Sequence, residues 1–219
     1  MFENTDGIIF DLDGTLVDSM WIWSKIDIEF IKEKALEITP EELMKEIAHF
    51  SFMETAQYFR DRFNMEETRE EIAQEWMDKA YYEYTHNVKP KNGLRDFLEN
   101  MKRKNIRMAV ASSNSKKLVV ACLEALDLIK YFEAVVTTDE AGSHSKSDPD
   151  VFLYAADKLN TLPSKTIVFE DVVNAMAGAR RAGMRVIGIK DRFQTLPDSE
   201  VLKVCDAYME DYTTFAPFI

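Results

Sequence analysis

The chain opens with a short apolar run, Gly7-Ile8-Ile9-Phe10, that ends in an acid, Asp11. A run this short, with Gly7 at its start and Gly14 just beyond it, predicts a strand buried on both faces, as in a parallel sheet. From Asp18 to Val88 the spacing becomes helical. Met20, Trp23, Ile26 and Phe30 recur every three or four positions, and Ile72, Trp76, Ala80 and Tyr84 every four. Between them, Thr39-Pro40-Glu41-Glu42 combines an N-cap, a proline at the first helical position and a capping-box glutamate. These patterns predict a bundle of about four helices.

After Lys89-Pro90-Lys91-Asn92-Gly93 the pattern changes again. Leu94, Phe97, Leu98 and Met101 mark an amphipathic helix, and residues 106–112 a strand. Leu118, Cys122, Ala125 and Leu126 share a helix face, and Ala134–Thr138 reads as a strand. A helix begins at Asp148-Pro149, with Phe152, Ala155, Ala156 and Leu159 inward. Thr166–Phe169 is a strand that runs into Glu170-Asp171, the next helix stops at Gly183, and Arg185–Ile189 is a further strand. Strands alternating with helices predict a doubly wound α/β core with a parallel sheet. The expected division is a core of residues 1–17 and 89–219 and a helical cap of residues 18–88.

Composition narrows the function. The 219 residues are 46% hydrophobic and 30% charged, which suits a folded, soluble protein, expected to be a monomer. The net charge of -12 argues against a nucleic-acid partner. No apolar run is long enough to span a bilayer, and the N-terminus has no secretory pattern, so a cytoplasmic location and no membrane partner are expected. Cys122 and Cys205 have neither metal nor redox spacing and read as buried thiols.

Four polar segments follow four predicted strands: Asp11-Leu12-Asp13-Gly14-Thr15, Ser112-Ser113-Asn114, Ser145-Lys146-Ser147 and Glu170-Asp171. In a parallel sheet they converge at the carboxyl edge, where open α/β sheets bind ligands. Acids, hydroxyls, an amide and one ammonium group then share a crevice, and oxygen donors of this kind suit Mg2+. Gly14 permits the turn that would let Asp11 and Asp13 face one site. Asp18 is expected to cap the first helix of the insert. His49, His86 and His144 are expected to be surface residues.

The run from Asp11 to Ser19, Asp-Leu-Asp-Gly-Thr-Leu-Val-Asp-Ser, resembles the first motif of the haloacid dehalogenase superfamily. The other three segments appear in the order and approximate spacing of its remaining motifs, and the helical insert matches its cap. The sequence looks most like the β-phosphoglucomutase-like subfamily. The resemblance implies a Rossmann-like core and a magnesium-dependent phosphatase acting on a small phosphorylated metabolite. Asp11 would be the nucleophile and Asp13 the acid and base. Ser112 and Lys146 would bear on the transferring phosphoryl group, with Thr15, Ser113 and Asn114 as further substrate contacts. Asp11, Asp13 (through its backbone carbonyl), Glu170 and Asp171 would hold the metal.

The sequence departs from the subfamily at Ser147, where proline is common, and at Val172 and Ala175, where serine and glycine are common. Mutases of the subfamily resemble one another in a histidine near Trp23 and a cap arginine near Phe52. A cap offering Phe50, Phe52 and Met53 is poorly equipped to grip a second phosphate, so hydrolysis is favoured over a phosphomutase. A dehalogenase would have no use for Asp13 or Asp171, and a non-catalytic binding protein would not need the acids. The insert is expected to select the substrate, with Trp21, Trp23, Phe50 and Phe52 as candidates, and to exclude water on closing.

Overall fold

A computed structural model describes residues 2–47, 50 and 52–218. They form two compact units, Met1–Ser19 with Val88–Ile219, and Met20–Asn87. In the first unit, β1 (Gly7–Phe10) is followed by the short β2 (Val17–Asp18). The second unit holds α1 (Trp21–Glu33), α2 (Pro40–Ile47), α3 (Phe52–Arg62) and α4 (Arg69–His86). The chain then returns through β3 (Lys89–Pro90), α5 (Leu94–Arg103), β4 (Arg107–Ser112), α6 (Lys116–Ala125) and β5 (Ala134–Thr137). It continues through α7 (Asp150–Lys158), β6 (Thr166–Glu170), α8 (Val173–Arg181) and β7 (Arg185–Ile189), and closes with α9 (Asp198–Val201) and β8 (Ala207–Met209).

Six strands make one all-parallel sheet in the order β5-β4-β1-β6-β7-β8. β1 lies inside it, with Gly7 opposite both Arg107 of β4 and Thr166 of β6. Its side chains alternate between two covered faces, which is why it reads as an unbroken apolar run. On one face Ile9, Ala109 and Val168 pack with Phe152 and Ala155 of α7 and Met176 and Ala179 of α8. On the other, Phe10 stacks on Phe169 with ring centroids 5.1 Å apart, and Phe97 of α5 meets Phe169 edge-on at 5.3 Å. With both faces closed, the open positions left to the core are its strand ends.

The second unit packs around Phe30, Phe59 and Trp76, whose rings meet edge-on at 5.2–5.4 Å. Its helix starts are written in the sequence. Thr39 and Glu42 form the expected capping box at 3.0 and 3.2 Å, and Thr68 with Glu71 forms another at 2.8 and 3.2 Å. Trp23 meets Phe52 edge-on at 5.5 Å, and Phe52 meets Trp76 at 5.7 Å. Phe52 therefore has ring partners within its own unit, although more than a third of its surface is exposed.

Asp18 lies in β2, three residues ahead of Trp21, the first residue of α1, and stands 3.5 Å from Arg192. The two units divide at 19/20 and 87/88, where the sequence pattern places the cap at 18–88. The cause is a ribbon in which Val17 pairs with Pro90 and Asp18 with Lys89, antiparallel, within the first unit. Among the described residues no helix is long and apolar enough to cross a membrane.

Candidate active site

The site is built at the carboxyl ends of β1, β4 and β6. The Asp11 amide still donates to the Phe169 carbonyl at 3.0 Å, so Asp11 leaves β1 in sheet register with β6. Directly after it the chain turns. The Leu16 amide donates to the Leu12 carbonyl at 2.9 Å, and the Gly14 amide to the Val17 carbonyl at 2.9 Å. Gly14 has φ +80, a conformation other residues rarely adopt, and a Cβ there would stand 2.3 Å from Asp171 Oδ2. Glycine is thus required twice over, by the turn and by the acid lying against it.

Three carboxylates converge. Asp11, Glu170 and Asp171 are all buried, and each has an oxygen within 4.8 Å of the others'. Lys146, also buried, donates to Asp11 Oδ1 and, at 2.6 Å, to Glu170 Oε2. Thr15 donates to Asp171 Oδ1 at 3.1 Å. Glu170 Oε1 accepts from the amides of Asp171 (3.3 Å) and Val172 (3.1 Å), which fixes its head group.

One ammonium among three buried carboxylates leaves excess negative charge. Burial first, and then the charge of Glu170, pushes the Asp11 carboxyl from the ordinary 3.8 up to about 8, against the opposing pull of Lys146. Asp171 is driven well up for the same two leading reasons. Lys146 is pushed upward because the charges of Asp11 and Glu170 outweigh its own desolvation. A cluster of hard oxygen donors whose charge is unbalanced in this way fits a divalent cation, which would hold the acids ionised.

The sign of the pH effect follows. Folded Asp11 binds a proton more tightly than unfolded Asp11, so its contribution to stability is complete below about pH 4 and is lost as pH rises toward about 8. The metal-free thermal midpoint should therefore fall between about pH 5 and pH 8, and added divalent cation should reverse the loss. Calorimetric scans across that range, with and without cation, check this; a flat or rising metal-free midpoint contradicts it.

The remaining predicted residues divide. Asp13 is half-buried and its carboxylate lies outside the three-acid cluster, accepting from Ser19 at 2.6 Å and, at the long limit of 3.5 Å, from Asn114 Nδ2. Ser112 is buried at the end of β4, its Oγ accepting the Asn114 amide at 3.0 Å, and Ser113 is exposed. Thr15 is fully buried with its hydroxyl on Asp171, so any contact it makes with a substrate comes from its backbone. His144 and His86 are exposed, and His49 lies outside the described residues. Both cysteines are buried.

Three contributors have no chemical signature in the sequence. Ser19 orients Asp13. Gln194 donates to the Asp171 carbonyl at 3.1 Å. Gly178 lets α8 pass the Lys146 loop, since a Cβ there would come within 2.1 Å of the Lys146 carbonyl oxygen. The glycine absent at Ala175 is thus matched by one a turn later, where the close approach occurs.

A family model described as haloacid dehalogenase-like hydrolase matches residues 8–189. The chain is 27% identical over 185 residues to a phosphorylated carbohydrates phosphatase of Thermotoga maritima, covering 84% of this chain and 85% of that protein. It is 27% identical over 190 residues to the fructose-1-phosphate phosphatase YqaB of Escherichia coli, covering 87% and 99%. Among solved structures, a Thermotoga maritima protein provisionally assigned as a β-phosphoglucomutase superimposes with TM-score 0.82 at 24% identity over 98% of each chain. CbbY of Rhodobacter sphaeroides, in complex with phosphate, does so with TM-score 0.75 at 19% identity over 96% of each.

Proposed function

The chain belongs to the haloacid dehalogenase-like hydrolases and acts on phosphate esters, and from that premise we propose that it is a magnesium-dependent phosphatase of phosphorylated carbohydrates working through an aspartyl-phosphate at Asp11. The observation that carries this reading is Lys146 bridging Asp11 and Glu170 beside Asp171, at the edge where the strands end. The substrate class rests on relatives named as a phosphorylated carbohydrates phosphatase, a fructose-1-phosphate phosphatase and a hexitol phosphatase.

In this reading a carboxylate oxygen of Asp11 attacks phosphorus, and the bond from phosphorus to the ester oxygen breaks. Asp13, held by Ser19, gives its proton to that leaving oxygen. In the second half Asp13 takes a proton from water, whose oxygen attacks the phosphorus of the aspartyl-phosphate; inorganic phosphate leaves and Asp11 is restored. Lys146 neutralises charge between nucleophile and phosphoryl group, and Ser112 with the amides that begin α6 takes the phosphoryl oxygens. Asp11, Glu170 and Asp171 would hold Mg2+, which supplies positive charge against the transferring group.

The test is phosphate release from a panel of sugar phosphates, sugar alcohol phosphates, nucleotides and a minimal aryl phosphate, with Mg2+ and after chelation. Sugar phosphates should turn over best, at kcat/KM above about 10^4 M⁻¹s⁻¹, and chelation should abolish release. Release that is indifferent to chelation, or none from any phosphomonoester, contradicts the proposal.

A further inference from the structure

The loop after β7 carries none of the chemistry assigned above, yet it is tied to the acid pair. Asp191, in that loop, is buried. Its Oδ1 accepts the Phe193 amide at 2.9 Å and its carbonyl accepts the Gln194 amide at 3.0 Å, which closes a tight turn. Lys91, just past β3, reaches into this turn and donates to the Lys190 carbonyl at 3.0 Å and to Asp191 Oδ2 at 2.7 Å. The pair is enclosed: the side chains are 13% and 2% exposed. The Lys91 amide donates to the Leu16 carbonyl at 2.9 Å, on the loop that begins at Asp11. At the far end of the turn Gln194 Nε2 donates to the Asp171 carbonyl at 3.1 Å. One buried ion pair thus links the loop bearing Asp11 and Asp13 to the backbone of Asp171.

This linkage has a physical use. Asp171 sits just past the end of β6, where two neighbouring carboxylates repel its own and the Thr15 hydroxyl donates to it. A buried ion pair away from the reacting groups is weak evidence of stability, because desolvation offsets its Coulomb energy; it is better suited to fixing one arrangement among several. The amide of Gln194 then transmits that fixed arrangement to Asp171, as groups behind metal ligands commonly do.

We propose that Asp191 and Gln194 are positioning residues for the acid cluster: the Lys91–Asp191 pair sets the loop after β7, and Gln194 on that loop holds the Asp171 backbone so that its carboxylate stays beside those of Asp11 and Glu170 to receive a divalent cation. The inference rests on the function proposed above only for the choice of Mg2+ as the cation.

Gln194→Met keeps the side-chain volume and removes the donor; Asp191→Asn keeps the turn acceptor and removes the ion pair. Isothermal titration of the full chain with Mg2+ should show Kd raised about tenfold in each, since loss of a group supporting a metal ligand costs on the order of 10- to 100-fold. The metal-free melting temperature of Gln194→Met should stay within about 2 °C of the parent, because a surface-loop hydrogen bond is a small part of the total. An unchanged Kd in both variants overturns the proposal, as does a Kd shift accompanied by metal-free unfolding, which assigns these residues to the fold alone. If the parent releases phosphate with Mg2+ while the variants bind it normally, this inference fails and the phosphatase reading stands. A parent that binds no Mg2+ and releases no phosphate overturns both.

Discussion

Asp11→Asn should lower the rate of phosphate release by at least about four orders of magnitude, a barrier increase of roughly 5.5 kcal/mol, while leaving a folded and more heat-stable protein. The amide matches the acid in size and still accepts from Lys146, so the local contacts survive. It has no anionic oxygen to attack phosphorus. The stability gain comes from the same crowding that serves the chemistry. Burial and the charge of Glu170 push the Asp11 carboxyl to about 8, so the metal-free fold holds either a proton or an unfavourable charge there. A neutral amide requires neither, and the metal-free midpoint should rise most near pH 8. Single-turnover phosphate release and calorimetry read the two effects. More than about a tenth of the parent rate would remove Asp11 as nucleophile. A lower midpoint would show that the Lys146 contact outweighs the repulsion.

Lys146→Met should be costly on both counts. It deletes the ammonium that touches Asp11 and Glu170 and leaves three buried carboxylates without a cation. Breaking a buried pair by removing one member costs about 3–5 kcal/mol when the other must stay charged. Here the acids can take up protons instead, so the loss in stability should be smaller at about pH 5 and larger at about pH 8. Catalysis gains nothing from that escape, because a protonated Asp11 is no nucleophile. A fall in kcat/KM of about 10^2 to 10^3 is expected. Lys146→Arg should not restore it, since the planar guanidinium cannot replace a compact ammonium in a closed site. A Met variant within about threefold of the parent kcat/KM would place the phosphoryl charge elsewhere.

The parts of this molecule that were legible in the sequence are those whose local pattern and global position agree. Gly7–Phe10 is buried on both faces and therefore apolar at every position, and Asp11 stands out as its end. Thr39 and Glu42 declare a helix start because their hydrogen bonds are local. What escaped has partners far along the chain or too little length to show a period. β2 and β3 are two residues each, and one contains proline, so neither has alternation to detect. β8 is a half-buried edge strand of three residues. Asp18 has the chemistry of a cap, and its place in the ribbon depends on Lys89 at the other end of the insert. Gly178 and Gln194 matter through what passes beside them, a carbonyl of the Lys146 loop in one case and of Asp171 in the other. The segments bearing Asp11, Ser112, Lys146 and Glu170-Asp171 were legible as a group because a parallel sheet gathers strand ends, whatever lies between them.

The short ribbon of Val17–Asp18 with Lys89–Pro90 also bears on how the chain assembles. β1 must find β4 across the whole helical insert, with Gly7 opposite Arg107. Pairing over such a separation is slow, because loop closure must be achieved before the contact rewards it. The ribbon ties the two ends of the insert together, so that once the insert has folded it acts as a short tether instead of a long one. The effective contact order of β1 with β4 is then set by the few residues of the ribbon and the α5 connection. Folding kinetics should accordingly report helix formation in Met20–Asn87 ahead of central sheet formation, and insertions at the ribbon should slow refolding more than they lower stability.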